Sequence, residues 1–274
     1  FDVPSGSVFG LLGPNGSGKT TTLGIVMDIL KQTSGSFQFS GKMPTADTRK
    51  NIGTLLETPN FYHYLSAQKN LEIAAAIKGR GKNDILAALE KVNLAHRKDS
   101  KFSTYSLGMK QRLAIASCLL GNPDLLVFDE PTNGLDPQGI ADIRHLIKDL
   151  AQKEGKTILV SSHLLTEIEQ MAHQILIIHQ GKKIALGPTA TLLDPAKSLM
   201  KLNTTNDVLS KEKIAVSEFA AYQLDREEGI YFSIPTEKIA SLHQFIVNVG
   251  IPIVSLESKR SLEDYFLQIT SQSN

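Results

Sequence analysis

Several features that would define other classes of protein are scarce or missing here. Cysteine occurs once in 274 residues, as Cys118, so an internal disulfide is excluded. That single thiol fits a reducing compartment and reads as a small buried side chain on a helix. No apolar run approaches the ~18 residues of a membrane span, and no basic-then-apolar start suggests a signal peptide. An excess of one charge is also missing. The formal net charge is +1, which gives no general case for nucleic acid or an acidic substrate as partner. Internal repeats, heptad runs and low-complexity segments are not apparent. The first residue is Phe1 rather than Met, and a strand-like stretch follows almost at once, so the chain is expected to start part-way into a domain.

What is present is an ordinary soluble composition, 41% hydrophobic and 21% charged, in a chain long enough for one large domain and an appendage. Strand and helix patterns alternate through its first two thirds. "SVFGLL" (7–12) reads as a buried strand and "TTTLGIVMDIL" as a helix ending near Lys31. "GSFQFSG" (35–41) and "NIGTLLE" (51–57) read as strands, and "DLLVFDE" (124–130) as a continuously apolar one. Residues 137–154 are predicted helical with Pro137 in the first turn. A strand at 156–162, a helix at 164–172 and a hairpin at 174–187 turning at Gln180-Gly181 complete the series. This alternation predicts a doubly wound α/β sheet. Residues 66–120 are all helical in pattern, with a last helix over 109–120, and predict a helical subdomain spanning about 58–122 inserted into the sheet. After a boundary near 190 the pattern changes to a small α+β appendage over 191–274, where a strand is expected near 251–257 and a final helix over 261–270.

Chemistry concentrates in a few stretches. Gly13, Gly18, Lys19 and Thr20 satisfy the G-x-x-x-x-G-K-[ST] pattern between a predicted strand and a predicted helix. In such a loop (Gly13, Pro14, Asn15, Gly16, Ser17, Gly18, then Lys19, Thr20 and Thr21) glycines let successive backbone N–H groups face inward around phosphate oxygens. The helix adds its positive end. Lys19 reaches the β- and γ-phosphates of a nucleotide, and the Thr20 hydroxyl suits Mg2+. This is the P-loop NTPase type of α/β sheet, but the loop does not by itself separate kinases, GTPases and transport ATPases. Asp129 and Glu130 lie at the carboxyl end of an apolar strand, where ligands of open α/β sheets sit. Asp129 suits Mg2+, and Glu130 suits a general base on an attacking water.

"GPNGSGKTTT", "YSLGMKQR", "LLVFDEPTNGLDP" and "LVSSH", in this order, resemble the ATP-binding subunit of ABC transporters. The resemblance covers residues 1 to about 190, and within the family it is nearest to ATPases of bacterial drug and lantibiotic exporters. It implies a RecA-like P-loop core with an inserted helical subdomain. It also implies ATP and Mg2+ as cofactors, a second ABC ATPase copy as partner, and an integral membrane permease that the subunit serves from the cytoplasmic face. No nucleic-acid partner is implied. Ser106 and Gly108 match the family's signature motif, which closes over the nucleotide held by the other copy; Tyr105, Leu107 and Met109 depart from it. The serine hydroxyl, the close backbone approach at Gly108 and the free N–H groups of a helix starting near Met109 suit a phosphate. Read alone, the octapeptide also fits an ordinary capped helix. The resemblance further implies that Asp136 contacts the opposite subunit and that His163 senses the γ-phosphate.

Glu57 stands where the family carries a glutamine that touches metal and water. A carboxylate keeps an acceptor oxygen and adds a negative charge near Asp129 and Glu130, so Glu57 is only a candidate metal ligand. Phe61, Tyr62 and Tyr64 lie where such proteins meet their permease; they either form that patch or pack beneath the helical subdomain. The family's adenine-stacking aromatic lies upstream of anything in this chain, and an N-terminally extended chain is expected to bind ATP more tightly. Two other readings compete with a transport ATPase. One is an ABC protein of translation or DNA repair, disfavoured by the single cassette and the charge balance. The other is a nucleotide-gated binding module without turnover, disfavoured by the intact Lys19, Asp129, Glu130 and His163.

Overall fold

The structure is a computed structural model that describes residues 1–56, 60–192, 198–224 and 229–259. It divides into two compact units, Phe1–Thr189 and Ala190–Asn274.

The first unit is built on β1 (Val8–Leu12), β2 (Ile52–Leu55), β3 (Leu125–Asp129), β4 (Thr157–Ser162), β5 (Gln174–His179) and β6 (Lys182–Pro188). Their order in the sheet is β2-β3-β4-β1-β5-β6. The first five are parallel, and β6 returns antiparallel to β5. The five parallel strands are apolar because they are largely buried on both faces, whereas β6 is mostly exposed. Phe9, Leu11, Val127, Leu159 and Leu176 pack into one layer with Leu23 of the first helix. Burying each such side chain stabilises by roughly 1.5–3 kcal/mol, enough to outweigh the small differences in strand propensity among them. The β5–β6 reversal occurs at Gln180 and Gly181, whose φ values of 49° and 73° are the two positive angles that a tight two-residue hairpin needs.

Helix α1 (Lys19–Val26) follows β1, and α2 (Ala46–Lys50) precedes β2. Between β2 and β3 come α3 (Ala67–Lys78), α4 (Ile85–Lys91) and α5 (Leu107–Leu119). Helix α5 carries apolar residues all round, and Leu113 to Ala116 with Cys118 and Leu119 are buried. It lies flush on β2, where a Cβ at Gly53 would run into the Cys118 carbonyl oxygen. Burial pushes the Cys118 thiol up to about 11, so the expected inert side chain is what the fold provides. Helices α6 (Pro137–Glu154) and α7 (Leu165–Met171) flank β4 in the chain.

Three expectations need correction. Helix α1 stops at Val26 rather than near Lys31. Asp28 adopts φ 62°, Ile29 N–H donates to the Gly24 carbonyl and Asp28 N–H to that of Ile25. This pattern closes a helix around a left-handed residue, and an aspartate there gives a weaker signal than glycine. Residues 35–41 form no strand. Phe37 and Phe39 do alternate with exposed neighbours as a strand would, but the backbone pairing is an isolated Phe39–Lys42 bridge. Alternation without a neighbouring strand to receive its hydrogen bonds does not make a strand. Finally, the helix expected over 109–120 begins two residues earlier, at Leu107, because Ser106 is its N-cap.

The second unit has its own core of Met200, Leu202, Ile214, Phe219, Ile230, Phe232, Ile234, Leu242 and Ile246. After the short α8 (Thr189–Leu192), the chain runs β7 (Ser198–Thr204), α9 (Asp207–Ala215), β8 (Gln223–Leu224), β9 (Ile230–Ile234), α10 (Ile239–Asn248) and β10 (Ile253–Lys259). The antiparallel sheet is ordered β10-β7-β9-β8. That is the β-α-β-β-α-β order of the split βαβ, ferredoxin-like arrangement. The helix expected over 261–270 lies outside the described residues.

Candidate active site

The carboxyl ends of β1, β3 and β4 are neighbours in the sheet, and candidate site residues gather there. From β1 the chain enters the loop Gly13–Gly18, which the first turn of α1 closes. Gly18 takes φ 108°, open to glycine at little cost. The Ser17 N–H donates to the Pro14 carbonyl at 3.1 Å, and the Ser17 carbonyl accepts from the Gly181 N–H at 2.9 Å. The hairpin turn thus braces the loop from outside. Lys19 is buried. Its Nζ donates to the carbonyls of Gly13 at 2.8 Å and Pro14 at 3.2 Å and lies 3.3 Å from Glu130 Oε1. Asn15 and Gly16 are exposed at the loop's tip, and Thr20 and Thr21 are exposed at the start of α1. The Ser17 hydroxyl is buried without a partner among the described residues.

Asp129 ends β3, and Ser161 of β4 lies opposite it in register. The Ser161 hydroxyl donates to Asp129 Oδ1 and accepts from the Glu130 N–H at 3.0 Å. Glu130 itself adopts φ 49°, a left-handed geometry that costs a side-chain-bearing residue about 1–2 kcal/mol. The bend sends its carboxylate toward the loop and toward β4. Oε1 faces Lys19, and Oε2 sits 2.7 Å from His163 Nδ1 and receives the His163 N–H at 3.4 Å. One carboxylate therefore joins Lys19 and His163, which lie 144 positions apart in the chain (163 − 19).

For a divalent cation the described residues offer hard oxygens: the Asp129 carboxylate and the Thr20 hydroxyl. Among the described residues no cluster of three or more His, Cys, Asp or Glu side chains could cage a metal. The donor set fits Mg2+, which is commonly held by one or two carboxylates together with the substrate's phosphates and water. Glu57, the third candidate, lies outside the described residues.

Ser106 and Gly108 stand at the N-terminus of α5. The Ser106 hydroxyl accepts from the Met109 N–H at 3.3 Å, and the Ser106 carbonyl accepts from the Lys110 N–H. The N–H groups of Leu107 and Gly108, first and second in the helix, have no intrahelical acceptor. A Cβ at Gly108 would meet nothing within 4 Å, so the helix tip is open. Tyr105 is buried and its hydroxyl donates to the Arg97 carbonyl at 2.7 Å, while Leu107 is 48% exposed. This tip lines a hollow of about 410 Å³ together with Gly134, Leu135 and Asp136. Asp136 caps α6 through the Gly139 N–H at 2.8 Å. In the aromatic stretch Phe61 packs edge-on against Phe102, whereas Tyr62 and Tyr64 are exposed. Buried Asn70 holds that loop, accepting from the Tyr62 N–H and donating to its carbonyl.

The reading of the sequence missed Ser161, Thr132, Glu167 and Asn70. Ser161 stands within "LVSSH", but its hydroxyl acquires meaning only through the β3–β4 register.

A family profile described as "ABC transporter" matches residues 1–133. YhcH of Bacillus subtilis, an ABC transporter ATP-binding protein, is 37% identical over 279 residues, which is 100% of this chain and 90% of YhcH. The bacitracin transport ATP-binding protein BcrA of Bacillus licheniformis is 37% identical, over 98% of this chain and 90% of its own. The lantibiotic transport ATP-binding protein SrtF of Streptococcus pyogenes is 42% identical over 67% of this chain and 80% of its own. Among solved structures, the dimeric post-hydrolysis ATP-binding cassette MJ0796 with ADP and Pi superposes with a TM-score of 0.61 at 27% identity. That match covers 69% of this chain and 88% of the other.

Proposed function

The chain belongs to the ATP-binding proteins of ABC transporters, and from that premise we propose that it hydrolyses ATP between two cassettes to drive a membrane permease that exports its cargo. No helix among the described residues is long and apolar enough to cross a membrane, and relatives named as transport ATP-binding proteins support a permease on a separate subunit. Relatives named for bacitracin and lantibiotic transport support export, with a cargo of the drug, peptide or lantibiotic class. A neighbouring gene for a multi-span membrane protein would test that assignment.

Each side chain has a place in the cycle. The loop Gly13–Gly18 cradles the β- and γ-phosphates with its backbone N–H groups. Lys19 Nζ reaches two carbonyls of this loop and Glu130 Oε1. In the cycle its ammonium serves the β- and γ-phosphates, and the Glu130 carboxylate takes a proton from the attacking water. His163 keeps hold of Oε2 and fixes the carboxylate's orientation. A positioned base of this kind contributes about 10²–10⁴ in rate. Thr20 and Asp129, with Glu57 as a third candidate, hold Mg2+, which when bound offsets phosphate charge. The tip of α5 in a second copy supplies Ser106 and the Leu107 and Gly108 N–H groups to the transferring phosphoryl group, and Asp136 meets the opposite subunit.

The observation carrying this reading is the Glu130 carboxylate, shared by Lys19 and His163 at the end of β3. In Glu130→Gln, ATP binding should persist, turnover should fall at least ~10²-fold, and an ATP-loaded dimer should accumulate in size-exclusion chromatography. Turnover near that of the wild type would remove Glu130 from the role of base.

A further inference from the structure

One buried acid has no part in this cycle. Glu167, in α7, is 3% exposed, and its Oε2 receives the hydroxyl of Thr132, itself 2% exposed. Its Oε1 is buried with no hydrogen-bond partner among the described residues. A carboxyl sealed from water and half-satisfied is costly, so its place in the fold calls for an explanation. Thr132 belongs to the loop that runs from Glu130 to Asp136. Two successive turns shape that loop, with the Asn133 N–H on the Glu130 carbonyl and the Leu135 N–H on the Thr132 carbonyl. Helix α7 begins two residues after His163. The Thr132–Glu167 bond therefore joins the segment leaving Glu130 to the segment leaving His163, behind the pair those two residues make.

We propose that Glu167 is a positioning residue for hydrolysis: it locks the loop bearing Asp136 to the helix behind His163. The loop offered to the second copy and the histidine that orients Glu130 then hold one shared position. The phosphate loop is not part of this lock, so losing it should lower kcat and leave the KM for ATP unchanged. The proposal rests on the reading of Glu130 as base. The charged groups facing Glu167 are Glu130 from the end of β3, His163 from the end of β4 and Arg144 from α6. Burial first, and the Glu130 charge after the opposing pull of the Thr132 bond, hold the Glu167 carboxyl above the usual carboxylate range. Ionisation would place a second negative charge beside the base, so turnover should fall as pH rises through that raised pKa.

The test is steady-state ATP hydrolysis by the full chain as a function of pH. Glu167→Ala and Thr132→Val should each lower kcat about tenfold at unchanged KM, and the double variant should be no worse than either. Glu167→Gln keeps a carbonyl for Thr132 and cannot ionise; it should restore most of the lost kcat and abolish the fall with rising pH. A lowered melting temperature with wild-type kcat, a rise in KM alone, multiplicative single effects, or a Gln variant that keeps the pH-dependent fall would each overturn the proposal. If Glu167→Ala does not fold, Thr132→Val and Glu167→Gln decide by the same criteria. Wild-type chain without turnover, or undiminished turnover in Glu130→Gln, would instead strike the underlying reading of the site.

Discussion

At the scale of the residue, the site depends on contacts too close for substitution. A Cβ at Gly13 would collide with the Ile178 carbonyl oxygen and the Ser17 hydroxyl, so the loop's first glycine is required by space and not by its φ. Gly13→Ala should destabilise the fold by about 1–3 kcal/mol, the usual cost of overpacking, and should weaken nucleotide binding by shifting the loop off its bracing hairpin. Thermal unfolding and a titration with fluorescent ATP would check both, and unchanged affinity would mean the cradle does not need that close approach. Ser161 makes the complementary point. Its hydroxyl serves two masters, Asp129 and the Glu130 N–H. Nothing local in "LVSSH" distinguishes it from Ser162, which instead accepts from the Leu164 N–H.

At the scale of the element, α5 shows how one side chain can have two readings that an experiment can part. Ser106 caps its own helix, and its removal should cost about 1 kcal/mol on that ground alone. The same position is where we place the second copy's phosphate. Ser106→Asp should therefore keep stability in urea, since aspartate caps as well as serine. It should also cut turnover sharply by setting a negative charge against the γ-phosphate. Ser106→Asp with wild-type turnover would reduce Ser106 to a cap. The cap also explains why the helix starts at Leu107: Ser106 already takes the Met109 N–H, which brings the residues between them into the first turn. Helix α6 was legible to both ends, Pro137 and Glu154, because Asp-Pro at its start and glycine after its end are local signals. Helix α1 was not, because its closing residue is Asp28 and not a glycine.

At the scale of the whole molecule, each of the two compact units has a core of its own, and every residue assigned to chemistry lies in Phe1–Thr189. Nucleotide at about 100 times its Kd stabilises its binding unit by ~2.7 kcal/mol. Hydrogen exchange of Glu130→Gln with ATP should accordingly show protection rising in β1, β3, β4 and the start of α1. An equal rise across β7, β9 and β10 would show that the second unit takes part in binding. The sequence alone determined the phosphate loop, the acids closing β3, the β5–β6 turn and the alternation of strand and helix, since each is set by residues adjacent in the chain. Tertiary structure decided which of these groups touch. Lys19, Glu130, Ser161 and His163 meet because the sheet places β3, β4 and β1 side by side, and Thr132 reaches Glu167 because α7 packs behind that edge. Such pairings depend on strand order and burial, which no short stretch of sequence encodes. For the same reason the alternating "GSFQFSG" forms no strand, since among the described residues its backbone pairing is only the isolated Phe39–Lys42 bridge.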